Sequence, residues 1–548
     1  MLKYKCILAS IFINVFFLAL CLFFGNLRYG ALDDFFMAGV LTGIHGDAYN
    51  PHLYFVNVLY GYALLPFYHL FPQIGWYYIF EMLGVFISLT GVSYIVVKQV
   101  GVAWGSIVTS ILLSLVCSDF YLSIQFTQCA SLYSAAGMLA LLFGLSRNNR
   151  KIFVFGILMV LWGSVMRWDA FLMGIPFFCV AILFNKQALL KNWRRMVVIA
   201  ATLFLLVFSA KIFDESLYNV DVYRSYKEFQ GPRAAFGDAH NYNMRAVYED
   251  MEELGKSGAD YAMLTDWVFY DTENFRVDSL KKILKYVDLY RDKNTISDIS
   301  LMLVNTLRDS LDKPVSWIFV FFCLLIFFTN SQKHLYVWIS FAIILCEIAY
   351  LLSLYRLVYR VELGIWLYAA ILAIPIIKEK FQLTRKWTLI IVAIISLVNL
   401  VGYYRTGMVV RDATTGRNRA SVDEDSTNYA QVFKYIDEHP DKMFLVGMNT
   451  YMKFAMHKNP PYLSEPIGSF KRIVSFGYWT PYLPEITESL KEFGITNPIK
   501  DVVHDNVISV DVGNLCDYLQ RHYYDSVQVQ ILHKIDDVVF YKYSVVNE

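Results

Sequence analysis

A run of about twenty apolar residues has one stable home, a helix across a lipid bilayer. Away from water, each backbone N–H and C=O must be bonded within the segment. This chain of 548 residues holds eleven such runs, near 6–25, 76–97, 102–119, 126–146, 152–167, 170–185, 195–212, 314–330, 335–355, 361–377 and 387–403. Charged residues make up only 17% of it and hydrophobic residues 57%, against about 25% charged in an average soluble domain. The expected fold class is mainly α, a polytopic transmembrane helix bundle of eleven spans. The first run is longer than a signal-peptide core and no small-x-small site follows it, so it reads as a retained span. A twelfth stretch, Leu53–Phe71, is interrupted by Asn57, Gly61, Pro66, His69 and four tyrosines.

The placement of positive charge sets the topology, because Lys and Arg favour cytoplasmic loops. If Leu53–Phe71 does not cross, the basic loops all fall inside: Lys3 and Lys5, Lys98, Arg147/Arg150/Lys151, Lys186/Lys191/Arg194/Arg195, Lys333, and Lys378/Lys380/Arg385/Lys386. If it crosses, every later loop inverts. The stretch is therefore expected to lie in, or re-enter, the outer interface. The N-terminus is then cytoplasmic in a multi-pass cell-membrane protein, and two polar segments are extracellular. One, Phe213–Lys313, holds nineteen acids against thirteen Lys and Arg. The expected organisation is a transmembrane region over 1–212 with an acidic first outer loop at 26–75, an external helical domain at 213–313, a second transmembrane region at 314–403, and an external C-terminal α/β domain at 404–548. Helical spacing marks 241–255, 277–290 and 299–311 in the insertion. In the tail, helices are expected at 429–440, 483–495 and 514–524, a strand at 441–448, and a hairpin turning at Asp536–Asp537.

Seven of the eight cysteines lie in or beside apolar runs, and no metal-ligand or disulfide spacing appears. No GxSxG, HExxH or P-loop is present. The informative charges sit where spans reach the outer face. Asp33 and Asp34 follow the first span; Asp119 ends the third; Arg167 and Asp169 occupy the turn between the fifth and sixth; Arg356, Arg360 and Glu362 lie between the ninth and tenth. Ionisable groups at membrane depth are costly and usually line a cavity. Carboxylates and arginines gathered at that surface suit chemistry on a lipid-linked phosphate. Arginine grips phosphate bidentately and stays charged. A carboxylate takes the proton of an attacking hydroxyl while the arginines stabilise the departing phosphate. Arg356 and Arg360 are four apart, the spacing of one helix face.

The stretches "LDDFFMAGVLTG", "NPHLYFVNVLYGYALLPFYHLFP", "GWYYIF", "MRWDAF" and "YRLVYRVE", in this order, resemble the GT-C class of membrane glycosyltransferases. That class includes protein O-mannosyltransferases, lipid A aminoarabinose transferases and bacterial cell-surface polysaccharide enzymes. The segments "MRAVYEDMEELGKSGADYAMLTDWVFYDTENFRVDSL" and "SLKEFGITNPIKDVVHDN" are similar to a group of polytopic proteins mostly from Gram-positive bacteria. The resemblance implies transfer of a hexose or pentose, with inversion, from a polyprenyl-phosphate donor to an envelope glycan or lipid. It places the first-loop acid, a general base or a ligand of a divalent metal ion, on Asp33 or Asp34. Adjacent helical residues point about 100° apart, so one of them faces the cavity, and Asp34 is preferred. Asp169 and Asp119 are the candidates for a second acid, and the metal question stays open. Arg356, Arg360 and Arg167 are the expected phosphate ligands.

Other readings compete. A polysaccharide polymerase also uses lipid-linked sugars and outer arginines. A lipid-linked glycan transporter or flippase needs charge near the bilayer midplane, where only Glu81 and Glu347 stand, and a non-catalytic scaffold needs no acid pair. No feature calls for nucleic acid. Residue by residue, the acid pair suits a helix start, the arginines suit headgroups, and Arg167–Asp169 suits a salt bridge closing a tight turn. His45 and His52 read as interfacial hydrogen-bonding groups. Trp479 reads as packing rather than as a platform for a sugar ring, and Asp260, Asp266 and Asp271 as structural or solvated.

Overall fold

The computed structural model describes residues 2–185, 193–237, 257–287, 295–329, 333–377, 384–406, 411–417, 427–512 and 514–546. Its first half is helical: α1 (Leu2–Phe24), α2 (Leu32–Thr42), α3 (Val58–Leu70), α4 (Trp76–Val100), α5 (Val102–Tyr121), α6 (Phe126–Ser146), α7 (Arg150–Met166), α8 (Trp168–Phe184) and α9 (Trp193–Tyr218). The insertion contributes α10 (Asp221–Gly237), α11 (Gly258–Thr265), α12 (Val277–Val287) and α13 (Ile296–Ser310). The chain then returns through α14 (Pro314–Thr329), α15 (His334–Ser353), α16 (Tyr359–Ile371) and α17 (Arg385–Thr406). The helix expected over 241–255 lies outside the described residues, as do Lys186, Lys191, Lys378 and Lys380.

All eleven apolar runs are helical, but among the described residues seven helices are long and apolar enough to cross a membrane, eight if α13 and α14 count as one span. Those two meet at 85°. The runs at 152–167 and 170–185 fall outside that set. α7 and α8 have 17 residues each, which reach about 25 Å against a hydrocarbon core of about 30 Å. Within Leu53–Phe71 only the 13 residues of α3 are helical, about 20 Å of helix. That is too short to cross, and Leu59, Tyr62, Phe67 and Leu70 stay exposed along it. The molecule is a multi-pass membrane protein with a mainly α bundle and a small sheet domain.

α6 is the buried axis of the bundle. It packs backbone to backbone on α7 through glycine: a Cβ on Gly137 would stand 2.6 Å from the Val160 nitrogen, and one on Gly156 2.7 Å from the Leu141 nitrogen. Such close approach is how helices attract in lipid, where burial of apolar surface gives no advantage. The bundle has two distinct ends. At one, Arg147 donates to Gln99 at 3.3 Å, Gln99 to the Ile377 carbonyl at 3.0 Å and Lys333 to the Phe184 carbonyl at 2.8 Å. This end gathers basic loops. The other end carries the N-termini of α6, α8 and α16.

The tail forms a five-stranded mixed sheet. Its strands are β3 (Met443–Val446), β4 (Ile473–Ser475), β5 (Val507–Val510), β6 (Val527–Ile535) and β7 (Val538–Val545), in the order β4-β3-β5-β7-β6. β3 runs parallel to β4 and β5, and β7 is antiparallel to β5. Two-residue strands β1 (Arg28–Tyr29) and β2 (Ser123–Ile124) pair in parallel at the mouth of the bundle. The sheet domain does not close its core alone. Phe36 and Ile44 of the first loop, and Phe229, Tyr261, Phe269 and Leu280 of the insertion, share one hydrophobic cluster with the sheet residues Phe444, Val474 and Phe540. The first loop, the insertion and the tail therefore pack as one body on one end of the bundle.

Candidate functional site

α2 begins at Leu32 with Ala31 as its N-cap, so neither acid caps it; both lie in the first turn, where a carboxylate complements the helix dipole. Their side chains diverge. Asp34 is fully buried. Its Oδ1 accepts from the Tyr77 hydroxyl at 3.2 Å and from the Phe126 backbone N–H at 3.0 Å, while Oδ2 has no partner. It thereby binds the N-terminus of α6 to the first loop. Burial, then the charge of Asp33, pushes its pKa well above the ordinary carboxylate range, against the pull of the Phe126 N–H, the Tyr77 hydroxyl and Arg360.

Asp33 is the acid that meets the arginines. Its Oδ2 lies 4.0 Å from an Arg360 guanidinium nitrogen, with side-chain exposures of 14% and 23%. Its Oδ1 accepts from the Trp479 indole N–H at 2.8 Å and from the Tyr478 hydroxyl. Arg167 occupies the single-residue joint of α7 and α8. It sits over the Phe126 ring at 5.5 Å and feels the charges of Asp169, Arg360, Asp33 and Arg356. Asp33, Arg167, Arg356 and Arg360 thus share one electrostatic neighbourhood, although they come from three separate stretches of chain.

Three expectations are corrected here. The preference for Asp34 fails on geometry, because Asp34 turns inward to Tyr77 and Phe126 while Asp33 borders Arg360. Arg356 and Arg360 do not share a helix face: α15 ends at Ser353, Tyr355 takes a left-handed backbone with φ 54°, and Arg356 lies in the connection before α16. Neither candidate second acid joins Asp33. Asp169 pairs with Arg167 at 3.4 Å and is 74% exposed, which is the turn-closing salt bridge. Asp119 is buried, bonded to Arg411 at 3.0 Å and to the Tyr359 hydroxyl at 3.1 Å.

Backbone strain marks the loop that grips Asp33. Tyr478 and Tyr482 have φ 80° and 66°, and Trp267, which packs against Tyr478 at 5.7 Å, has φ 65°. Such conformations cost of order 1–3 kcal/mol each and persist where surroundings hold them. Gly477 makes the approach feasible: the Tyr478 N–H donates to the Trp267 carbonyl at 3.0 Å, and a Cβ on Gly477 would stand 2.3 Å from that oxygen. Arg360 is held from the other side, its backbone N–H donating to Ala413 at 2.8 Å and its guanidinium to Thr414 at 3.2 Å. Tyr478 and Arg411 carried no signal in the sequence; their roles depend on partners hundreds of residues away.

The donor set around Asp33 does not fit a divalent metal. Its neighbours are guanidinium, indole N–H and phenol groups, and among the described residues no three His, Cys, Asp or Glu side chains converge on one point. His45 stacks on Phe36 at 5.4 Å and His52 bonds Asn50 at 2.7 Å. Asp260 is bonded to Arg521 and His522, and Asp271 to Tyr518 and Tyr523, which makes both structural. Within the spans, Glu81 is fully buried with both carboxyl oxygens unpartnered.

No protein-family model and no curated relative matches the chain. Two crystal structures of ArnT from Cupriavidus metallidurans are similar to it. The form bound to undecaprenyl phosphate is 11% identical with a TM-score of 0.39, covering 97% of each chain. The apo form is 13% identical with a TM-score of 0.36, covering 96% of this chain and 95% of that one. At this distance the likeness assigns no residue.

Proposed function

We propose that this protein transfers a sugar from a polyprenyl-phosphate donor to a hydroxyl of an envelope glycan or lipid at the outer face of the membrane. The observation that carries the reading is Asp33 beside Arg360, both within reach of the charge of Arg167, which also feels Arg356. Arg360, Arg167 and Arg356 hold the donor phosphate. Asp33 accepts the proton of the attacking hydroxyl as the C1–O bond to phosphate breaks, and the arginines take up the charge on the departing phosphate. In-line attack inverts the anomeric centre. Tyr478 and Trp479 fix the Asp33 carboxylate, and Asp34 fixes the loop that carries it. A divalent metal has no step in this scheme.

The test is Asp33→Asn beside Arg360→Gln in the full chain. Asp33→Asn should retain undecaprenyl-phosphate binding and lose glycan formation by about 100-fold or more. Arg360→Gln should weaken binding of the lipid phosphate itself. Full glycan formation by Asp33→Asn would refute the base assignment.

A further inference from the structure

α10 presents three polar side chains to the loop that grips Asp33. Tyr226, Gln230 and Arg233 are four and three residues apart, the spacing of one helix face. Tyr226 is 2% and Arg233 6% exposed. The Gln230 amide nitrogen donates to the Trp479 carbonyl at 3.1 Å. The Arg233 guanidinium lies over the Trp267 ring at 5.0 Å, Trp267 packs on Tyr478, and Tyr478 bonds Asp33. The Tyr226 ring is 4.6 Å from Tyr54 and 6.4 Å from Trp479, and its hydroxyl feels the charges of Arg233, Asp33 and Glu485.

Each of these residues keeps one buried polar atom without a hydrogen-bond partner. The Tyr226 hydroxyl, the Gln230 Oε1 and the Arg233 Nε are each buried and unbonded, and no carboxylate forms an ion pair with Arg233 among the described residues. Buried polar groups in folded proteins are almost always bonded, and a buried charge needs a counter-charge. One unbonded atom is an accident of packing; a cationic donor, an amide acceptor and a hydroxyl on one face, one residue removed from Asp33, form a pattern. Arg360 meets Asp33 from a different element and, in the transfer reaction proposed above, serves the donor phosphate, so this face is left for the other substrate.

We propose that the Tyr226–Gln230–Arg233 face is the acceptor subsite, and that the acceptor is an anionic, hydroxyl-bearing glycan or lipid headgroup. Arg233 pairs with its phosphate or carboxylate, Gln230 accepts from one of its hydroxyls, and Tyr226 bonds the same moiety, which brings an acceptor hydroxyl to Asp33. This rests on the transfer reaction proposed above.

The full-length protein in detergent is titrated with sn-glycerol 3-phosphate, glucuronate and undecaprenyl phosphate. The first two separate a phosphate-bearing from a carboxylate-bearing acceptor. One of them should bind saturably to the wild type and at least tenfold more weakly to Arg233→Gln, with undecaprenyl-phosphate binding unchanged. Arg233→Lys should retain part of the affinity. Tyr226→Phe removes one unbonded oxygen; it should leave melting unchanged or raised and weaken the same anion at least threefold, a loss that a packing role would not produce. Absence of saturable binding of either anion to the wild type, or equal binding by wild type, Arg233→Gln and Tyr226→Phe, overturns the proposal. Normal undecaprenyl-phosphate binding by Arg360→Gln counts against the donor-site reading alone.

Discussion

Two adjacent carboxylates with opposite surroundings divide the work of the first loop. Asp33 keeps its oxygens among donors and an arginine, whereas Asp34 lies under the bundle with one oxygen bare. The raised pKa of Asp34 has a thermodynamic consequence. A carboxyl that holds its proton more tightly when folded favours the native state fully below its unfolded pKa, and loses that contribution as pH rises through the folded value. Asp34→Asn cannot ionise. The melting temperature of the wild type should therefore fall relative to Asp34→Asn as pH is raised from about 4, followed by thermal melts of both proteins across pH. A second test concerns buried Asp119 and half-buried Arg411, 3.0 Å apart. Arg411→Gln leaves a buried carboxylate uncompensated and should cost about 3–5 kcal/mol, and the pair Asp119→Asn with Arg411→Gln should recover much of it. Equal melting losses for the single and double variants would contradict this. That ion pair spans 292 positions, which is why no local pattern in the sequence announced it.

Helices and strands were legible in proportion to their length and regularity. Every long apolar run folded as a helix, and the alternation over 527–545 became the β6–β7 hairpin with its turn at Asp536–Asp537. β4 and β5, of three and four residues, are too short to show a period. α10 was hidden by Gly231–Pro232, which reads as a break yet lies inside the helix. The connection at 354–358 misled in the opposite direction: a spacing of four suggested a helix face, and the left-handed Tyr355 unmade it. Sequence placed Asp33, Arg167 and Arg360 at one end of the bundle, where the structure also gathers them, while the choice between Asp33 and Asp34 depended on what packs over them. The loop of Gly477–Tyr482 allows a direct test. Gly477→Ala forces a methyl group against the Trp267 carbonyl, so the loop must withdraw from Asp33. Activity should drop at least tenfold, while the protein remains folded with a melting loss of about 1–3 kcal/mol; transfer rates and melting of the variant read both.

Among the described residues the polar body packs on one end of the bundle, so membrane orientation is a single two-way choice. A cysteine at Ser300 or Asp537, both exposed, should react with an impermeant maleimide on intact cells. One at Arg150, exposed at the opposite end, should react only after permeabilisation, and the reverse pattern would invert the molecule in the membrane. The polar body is assembled from the first loop, the insertion and the tail, so its core spans nearly the whole length of the polypeptide. That has a consequence for biosynthesis. Asp33 leaves the ribosome early, but the two side chains that grip it, Tyr478 and Trp479, are translated some 445 positions later. A polypeptide released between those points can thread its helices into the bilayer and still present an ungripped acid. Truncated products should therefore be inert passengers in the membrane instead of partly active enzymes, and catalysis would begin only once translation is almost complete.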